Sequence, residues 1–298
     1  MNLCYIYLIE GDTGFIFQDY KALNFKGGSM GLFNAKKVVI TGAASGIGKE
    51  LALQISRYGG IIIAADYDKK CLDETVKQVK DSGGAAFGYK VDISDSRQVG
   101  KFAADVKKKH GSIDMLINNA GVTLFGKFEE LKIADFEWIM NINLWGAIYM
   151  TKAFLPELKD KEGAYIVNVA SVFGVIGTGN QSAYCATKFG LRGFTEALQD
   201  ELYSFPVNVI SVLPGGIKTN IAKNARIIKD GSILKDTEKL EKRLSKISKT
   251  TAAEAASAII DGMKKGRVRI RIGSDARFLD RLQRLAPVKY NRVLAKLY

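Results

Sequence analysis

Residues 38–57 leave the chain few folds to choose from, because they join a strand, a glycine turn and a helix without a break. Val38, Val39 and Ile40 form an apolar, β-branched run suited to a buried strand. Thr41-Gly42-Ala43-Ala44-Ser45-Gly46-Ile47-Gly48 follows, and Leu51, Ala52 and Ile55 then recur at helical spacing. The three glycines divide the work. Gly42 permits the tight turn, Gly46 lets backbone approach a pyrophosphate, and Gly48 lets the helix lie close to the strand. The helix start offers N–H groups and a positive dipole end to such phosphates. Asp66 ends the next apolar run, 24 residues beyond Gly42. An acid about 20 residues past the turn is placed to hold the ribose 2′-hydroxyl of a dinucleotide.

The rest of the chain repeats this alternation. Residues 86–91, 113–117, 164–169 and 207–213 read as strands, and 69–82, 96–109, 136–154 and 184–204 as helices between them. Thr251 and Glu254 have the spacing of a capping box opening one more helix, to Met263. Val268, Ile270 and Ile272 alternate with Arg267, Arg269 and Arg271, as in a half-buried edge strand. Strands alternating with helices imply an α/β fold: a doubly wound parallel sheet of about seven strands, helices on both faces, in a single domain over residues 30–273. Four prolines and no low-complexity tract leave nothing to mark a second domain.

Residues 1–29 fit none of this. Residues 3–9 are apolar, but no basic residue precedes them, and Glu10 and Asp12 soon interrupt, which makes a poor signal peptide. Lys26-Gly27-Gly28 is encodable as AAAGGAGG, a bacterial ribosome-binding sequence set just ahead of Met30. The expected start is therefore Met30, with 1–29 a non-native or disordered leader; N-terminal sequencing of the native protein tests this. No apolar run approaches the ~20 residues of a membrane-spanning helix. Cys4, Cys71 and Cys185 are scattered and odd in number, which argues for a reducing, cytoplasmic setting and against a disulfide framework or a thiolate metal site. No metal is expected. The single histidine, His110, lies in a lysine-rich segment and reads as a solvated helix end.

Tyr184-Cys185-Ala186-Thr187-Lys188 places a phenol and an ammonium at i and i+4, on one helix face. A free tyrosine titrates near 10; a neighbouring Lys⁺ is expected to lower that value and make Tyr184 a usable general acid/base. Ser171 stands thirteen residues earlier, at the C-terminal end of a strand, the end at which parallel α/β sheets bind ligands. Its hydroxyl could hold a substrate carbonyl beside the tyrosine.

With these residues the chain resembles the short-chain dehydrogenase/reductase family, the single-domain branch with Thr-Gly-x-x-x-Gly-x-Gly and Tyr-x-x-x-Lys. The likeness runs along residues 31–220, through the glycine motif, Asp92, Asn118-Asn119-Ala120-Gly121, Asn143, Ser171, Tyr184, Lys188 and Pro214-Gly215. It implies a Rossmann-type fold and a catalytic tetrad. In that tetrad Tyr184 passes the proton, Ser171 orients the carbonyl or alcohol, Lys188 holds the nicotinamide ribose, and Asn143 positions a water linking Lys188 to solvent. The implied cofactor surface comprises Thr41, Gly42, Ser45, Gly46, Ile47, Gly48, Asp66, Asp92, Ile93, Asn119, Ala120, Gly121, Tyr184, Lys188, Pro214 and Gly215. Ile217 and Thr219 would meet the nicotinamide carboxamide. The implied reaction interconverts a secondary alcohol and a ketone by hydride transfer. The family implies homodimers or homotetramers built through the Asn143 and Tyr184 helices.

Charge favours NAD over NADP. A 2′-phosphate would stand against the Asp66 carboxylate, and neither Ser45 nor Tyr67 is basic. Two other readings stand beside the alcohol dehydrogenase: a 3-oxoacyl-carrier-protein reductase, and a nucleotide-binding, membrane-peripheral sensor. Residues 218–250 are expected to form the substrate lid, with Ile221, Ala222, Ile227, Ile228, Ile233 and Leu234 giving an apolar wall. The net charge of +13 is concentrated late: residues 223–298 hold 20 Lys and Arg against 8 Asp and Glu. Within 274–298, Phe278, Leu279, Leu282 and Leu285 share one helix face and Arg277, Arg281 and Arg284 another. Such a helix caps the body or a second subunit, or lies on an anionic membrane. Nucleic acid is not expected, since no aromatic platform accompanies the charge.

Overall fold

In the computed structural model the described residues are 31–219, 225–229, 232–234 and 249–291. The expectations for residues 1–29 and for Ile221 and Ala222 fall outside them. The chain runs β1 (Lys37–Thr41), α1 (Gly46–Arg57), β2 (Ile61–Asp66), α2 (Lys69–Asp81), β3 (Ala85–Lys90), α3 (Ser96–His110) and β4 (Met115–Asn118). It continues with β5 (Leu124–Phe125), α4 (Ile133–Met140), α5 (Gly146–Leu158), β6 (Tyr165–Val169), α6 (Ser182–Glu201) and β7 (Asn208–Pro214). Short strands β8 (Ile217–Lys218), β9 (Arg226–Lys229), β10 (Ser232–Leu234) and β11 (Thr250–Thr251) precede α7 (Ala252–Lys264), β12 (Arg269–Ile272) and α8 (Ser274–Leu285).

Seven strands form one sheet in the order β12-β7-β6-β4-β1-β2-β3, every pair parallel. This is the Rossmann-type, doubly wound sheet that the alternation predicts. Successive side chains of a strand point to opposite faces, and the two cores follow from that. Val38, Ile40, Ile62 and Ala64 pack with Leu51 and Ile55 of α1, Leu72 of α2 and Ile259 of α7. Val39, Ile63 and Leu116 pack with Phe102 of α3, Phe154 of α5 and Leu198 of α6. Each fully buried Leu or Ile contributes about 1.5–3 kcal/mol, so the alternation decides the fold well before any polar contact does. The chain departs from β1 in both directions across the sheet, and this reversal opens a crevice at the strand C-termini between β1 and β4.

Three local features differ from the sequence expectation or refine it. The single helix expected over 136–154 is two α-helices joined by one π-turn, Asn141–Trp145, which contains Asn143. The capping box forms: Thr251 Oγ1 accepts from the Glu254 N–H and the Glu254 carboxylate accepts from the Thr251 N–H. The apolar face expected on α8 is divided. Ala276, Leu279 and Asp280 turn inward, while Phe278 and Leu285 are 52% and 86% exposed. A carboxylate takes an inward position because two arginines neutralise it: Asp280 accepts from Arg271 of β12 at 2.8 Å and from Arg284 at 3.2 Å. The alternating arginines of the edge strand are likewise engaged, Arg269 with Glu196 of α6. His110 ends α3 with its ring on Phe87 and its Nε2 2.7 Å from the Tyr89 hydroxyl. That helix end leads into the start of β4, on the far side of the sheet from the crevice.

Candidate active site

The glycine turn is held from behind by side chains. Thr41 Oγ1 accepts the N–H groups of Asn119 and Ala120 at 3.0 and 3.1 Å. Asn119 Nδ2 donates to the carbonyls of Thr41 and Gly42 at 3.0 and 3.2 Å. Thr41 and Asn119 therefore brace the turn, with Thr41 Oγ1 and Asn119 Nδ2 committed to backbone. Gly48 permits the close helix approach expected of it: a Cβ there would lie 2.1 Å from the Gly42 carbonyl oxygen. Gly46 is left-handed at φ +55°, and across from it stands the Thr219 side chain, 3.3 Å from the position a Cβ would take. Ser45 is the N-cap of α1 but makes no side-chain capping bond, so its hydroxyl leaves the first-turn N–H groups uncapped. A cradle of uncapped N–H groups at a helix N-terminus fits the pyrophosphate of a dinucleotide.

Asp66 closes the same end of the crevice. Its two oxygens accept from the Ala44 and Asp68 N–H groups, each at 2.9 Å. Burial raises its pKa, against the lowering effect of these N–H groups. Asp92 turns back on its own loop, accepting from the Ser94 N–H and hydroxyl, and Ile93 packs into the space left by the missing side chain of Gly146.

On the other side of the crevice, β6 and α6 bring Ser171, Tyr184 and Lys188 together, all at least nine-tenths buried. Ser171 leaves β6 and starts a single 3₁₀ turn, Val172–Gly174, whose Phe173 N–H donates to Ser171 Oγ at 3.1 Å. Gly174 lets that turn press on α6: a Cβ there would meet the Lys188 carbonyl oxygen at 2.5 Å. Lys188 Nζ donates to the Val169 carbonyl at 3.1 Å and lies 5.7 Å from the Tyr184 ring centroid. Gly121 is packed beside Asn143 and Lys188, its Cβ position 3.2 Å from Asn143 Oδ1 and 3.3 Å from Lys188 Nζ.

The electrostatics differ from the expectation. Burial pushes Tyr184 up to about 12, with the Ser171 hydrogen bond working against it. Burial also pulls Lys188 down to about 8. In the protein alone, desolvation outweighs any help the ammonium gives the phenol, because that ammonium is directed at a backbone carbonyl. Tyr184 is therefore a neutral phenol at physiological pH, and Lys188 still carries its charge at pH 7.

Asn143 is spoken for as well. Its amide pairs both ways with Val122, accepting from the N–H at 2.8 Å and donating to the carbonyl at 2.9 Å. It also donates to Thr187 Oγ1, which donates in turn to the Tyr184 carbonyl at 2.7 Å. The π-turn thus spends the Asn143 side chain on fixing the 118–122 loop against α6. Thr187, which the sequence reading passed over, links the two. A second buried chain, Asn118–Asn168–Thr195, ties β4, β6 and α6 beneath the site. Pro214 pairs with Ile272 of β12, and Ile217 of β8 pairs with Thr250 of β11. Within the expected lid, β9 adds to β5 and β10. Arg226 lies 3.6 Å from the Trp138 ring centroid and 4.0 Å from Asp135, and Ile228 is buried. Beside Tyr184 lie Leu124, Ile139, Val122, Trp138 and Phe173, an apolar wall.

Known proteins share this architecture. The short chain dehydrogenase profile matches residues 36–230. A Mycobacterium tuberculosis protein named as the oxidoreductase SadH is 36% identical over 89% of this chain and 96% of its own. The Thermotoga maritima 3-oxoacyl-[acyl-carrier-protein] reductase is 36% identical over 62% of this chain and 75% of its own. Bovine 3-ketodihydrosphingosine reductase is 34% identical over 84% and 75%. Among solved structures, a Burkholderia phymatum short chain dehydrogenase/reductase in complex with NAD has a TM-score of 0.78 at 25% identity, over 85% of this chain and 94% of its own. Among the described residues no helix is long and apolar enough to cross a membrane.

Proposed function

The chain belongs to the short-chain dehydrogenase family of oxidoreductases, and on that premise we propose that it uses NAD(H) to interconvert a secondary alcohol and a ketone, working best as a ketone reductase near neutral pH. The observation that carries this reading is the buried cluster of Ser171, Tyr184 and Lys188 at the C-terminal end of β6, beside an apolar wall.

Gly42, Ser45, Gly46 and Ile47 would hold the pyrophosphate, Asp66 the adenosine ribose, Asp92 and Ile93 the adenine side, and Ala120, Gly121, Lys188, Gly215, Ile217 and Thr219 the nicotinamide side. The cofactor, when bound, supplies or accepts hydride. The protein's own residues do the rest. Ser171 Oγ donates to the carbonyl oxygen and fixes its direction, and Tyr184 Oη delivers the proton to that oxygen. A phenol held near 12 keeps its proton until a strong acceptor forms, which suits donation to a developing alkoxide. The reverse reaction needs the phenolate, so oxidation should gain with rising pH. The Lys188 ammonium stabilises whatever negative charge the pair develops, in a site where burial strengthens that interaction. Asn143 and Thr187 hold Lys188 and Tyr184 in register.

Two relatives are named for reducing a 3-oxo or 3-keto compound, and the apolar wall beside Tyr184 supports an apolar ketone as substrate here. A carrier-protein-bound 3-oxoacyl group is the second reading, supported by the basic C-terminal segment; Asp66 weighs against the NADP it would pair with if that cofactor is used. Exposed Phe278 and Leu285 next to Arg277 and Arg281 support a cytoplasmic enzyme that touches anionic membrane, and vesicle co-sedimentation at low and high salt tests that contact. The decisive assay follows NADH and NADPH consumption with a panel of ketones of increasing chain length, free and carrier-bound. NADH-linked turnover of free ketones is expected. Turnover of none, or a preference for NADPH, overturns the reading.

A further inference from the structure

The loop that leaves β7 toward the nicotinamide side is not held by the sheet alone. Gly215 N–H donates to the Ile272 carbonyl at 2.9 Å, and this is the last ladder bond. Gly216 N–H turns to a different partner, the carboxylate of Asp275 in the first turn of α8, at 2.6 Å. The chain closes round that carboxylate. A Cβ on Gly215 would lie 2.2 Å from Asp275 Oδ2, and one on Gly273, which sits at φ +95°, 2.3 Å from Oδ1. Both glycines leave the room that the carboxylate occupies. An acid in the first helical turn is also favoured there by the helix dipole.

Three residues past this contact the same loop reaches the phosphate side. Ile217 and Lys218 form β8 against Thr250 and Thr251, and Thr219 stands across from Gly46. The N-terminal part of α8 meanwhile packs through Ala276 and Leu279 on Val172 and Val175, in the turn that follows Ser171. One helix therefore touches both loops that border the proposed site.

We propose that Asp275 is a positioning residue: it fixes the 215–219 loop against α8 and thereby sets the affinity for the dinucleotide whose cradle Thr219 faces. The proposal rests on the dinucleotide reading given above. Its mechanism is a charge-assisted bond from a backbone N–H to a carboxylate, among the stronger hydrogen bonds a loop can have.

The test compares Asp275→Ala, Asp275→Asn and Gly215→Ala in the full-length chain. Hydrogen–deuterium exchange of the protein without cofactor reads the loop directly. Asp275→Ala and Gly215→Ala should each raise exchange of peptides covering 215–219 at least tenfold and leave β1 and α1 unchanged, while Asp275→Asn, which keeps an acceptor oxygen, should stay within threefold of wild type. In titrations with NADH, the first two variants should bind at least tenfold more weakly, with kcat at saturating NADH changing less than KM. Unchanged exchange at 215–219 overturns the proposal whatever the activity. Faster exchange with unchanged NADH affinity overturns the link to binding and leaves a structural tether only. A wild-type chain that binds neither NADH nor NADPH removes the dinucleotide reading, and with it the second half of this one, whereas the exchange result still decides the first. If Asp275→Ala does not fold, Gly215→Ala reaches the same contact from the loop side.

Discussion

The two flanks of the crevice hold their loops by different means. On the β1–β2 flank the glycine turn is braced by Thr41, Asn119 and Asp66, each bonding to backbone of the turn or of its nearest neighbour. On the β6–β7 flank the loops lean on the C-terminal segment: Gly216 on Asp275, 59 residues later, and the turn after Ser171 on Ala276 and Leu279. That segment is fastened in its turn by charge, Arg271 and Arg284 on Asp280 and Arg269 on Glu196. The first flank is fastened within the sheet, by side chains from the C-terminal ends of β1, β2 and β4. The second leans on α8, a helix beyond the last strand of the sheet, and it should respond to changes far from the reacting atoms.

The largest effect separates chemistry from binding. Tyr184→Phe removes the transferable proton and almost no volume. Turnover should fall by about 10²–10⁴, the range that general acid–base catalysis supplies, with NADH affinity within threefold of wild type. Turnover within tenfold of wild type would remove Tyr184 from its role and make the second flank a scaffold only.

Next in size, Asp66→Ala probes the first flank. It deletes the partner of the Ala44 and Asp68 N–H groups and the charge that opposes a 2′-phosphate, and the ratio of kcat/KM for NADH over NADPH should drop by about 10²; at 1.36 kcal/mol per tenfold this is about 3 kcal/mol. Because burial raises the Asp66 pKa, wild type should behave partly like the variant as pH falls. Asp66 takes up a proton earlier than an ordinary aspartate, and KM for NADH should rise before KM for NADPH does. A constant ratio across that range would show that charge at Asp66 does not set the choice.

The same contrast explains what the amino-acid sequence disclosed. The sheet was legible because Val38 to Ile40, Ile62 to Ala65 and Leu116 face two apolar cores in turn, and burial on both faces leaves an unbroken apolar run between helical segments in the sequence. The glycine turn was legible because its strand, glycines and helix are contiguous in the chain, although Asn119 braces it from β4. Thr187 and Asp275 were not, since a small polar residue on a helix face has no pattern that tells a tether from a solvated side chain. Which face of α8 packs inward was not legible for a related reason. Leu279 belongs to two helical stripes, one completed by Phe278, Leu282 and Leu285 and the other by Ala276 and Asp280. Apolar counting favours the first, whereas the structure takes the second because Arg271 and Arg284 neutralise the buried acid. The π-turn around Asn143 left no trace either, since its geometry depends on a side chain pairing with Val122 across the fold.

Asp280→Ala should therefore loosen the second flank without touching the first. Arg271 and Arg284 lose a shared acceptor but are themselves half exposed, so water replaces it in part, and the loss should be about 1–3 kcal/mol. Urea midpoints read it. Hydrogen exchange should rise in β12, α8 and the turn after Ser171, and remain unchanged in β1 and α1. Uniform loosening of both flanks would show that α8 is part of the common core and that the division drawn here is false.

The smallest effect has an unusual sign. Lys188 is buried with its pKa pulled down to about 8, whereas in the unfolded chain a lysine titrates near 10.4. Below about pH 8 both states hold the proton and the folded protein bears the full penalty of a buried ammonium. Between about 8 and 10.4 the folded state gives up its proton first, so the unfolded state binds more protons and stability rises with pH. Above that window the penalty is gone. Lys188→Met keeps the length of the side chain and removes the charge, at the loss of the bond to the Val169 carbonyl. The variant should be inactive yet more stable than wild type at pH 7, by about 1–2 kcal/mol after that lost bond is counted, and the gap should narrow as both are measured toward pH 10. Denaturant titrations at the two pH values give the answer. A variant less stable than wild type at pH 7, or a gap that does not change with pH, would mean that the ammonium is compensated in the fold, and that the site on the second flank is held together by its charge and not in spite of it.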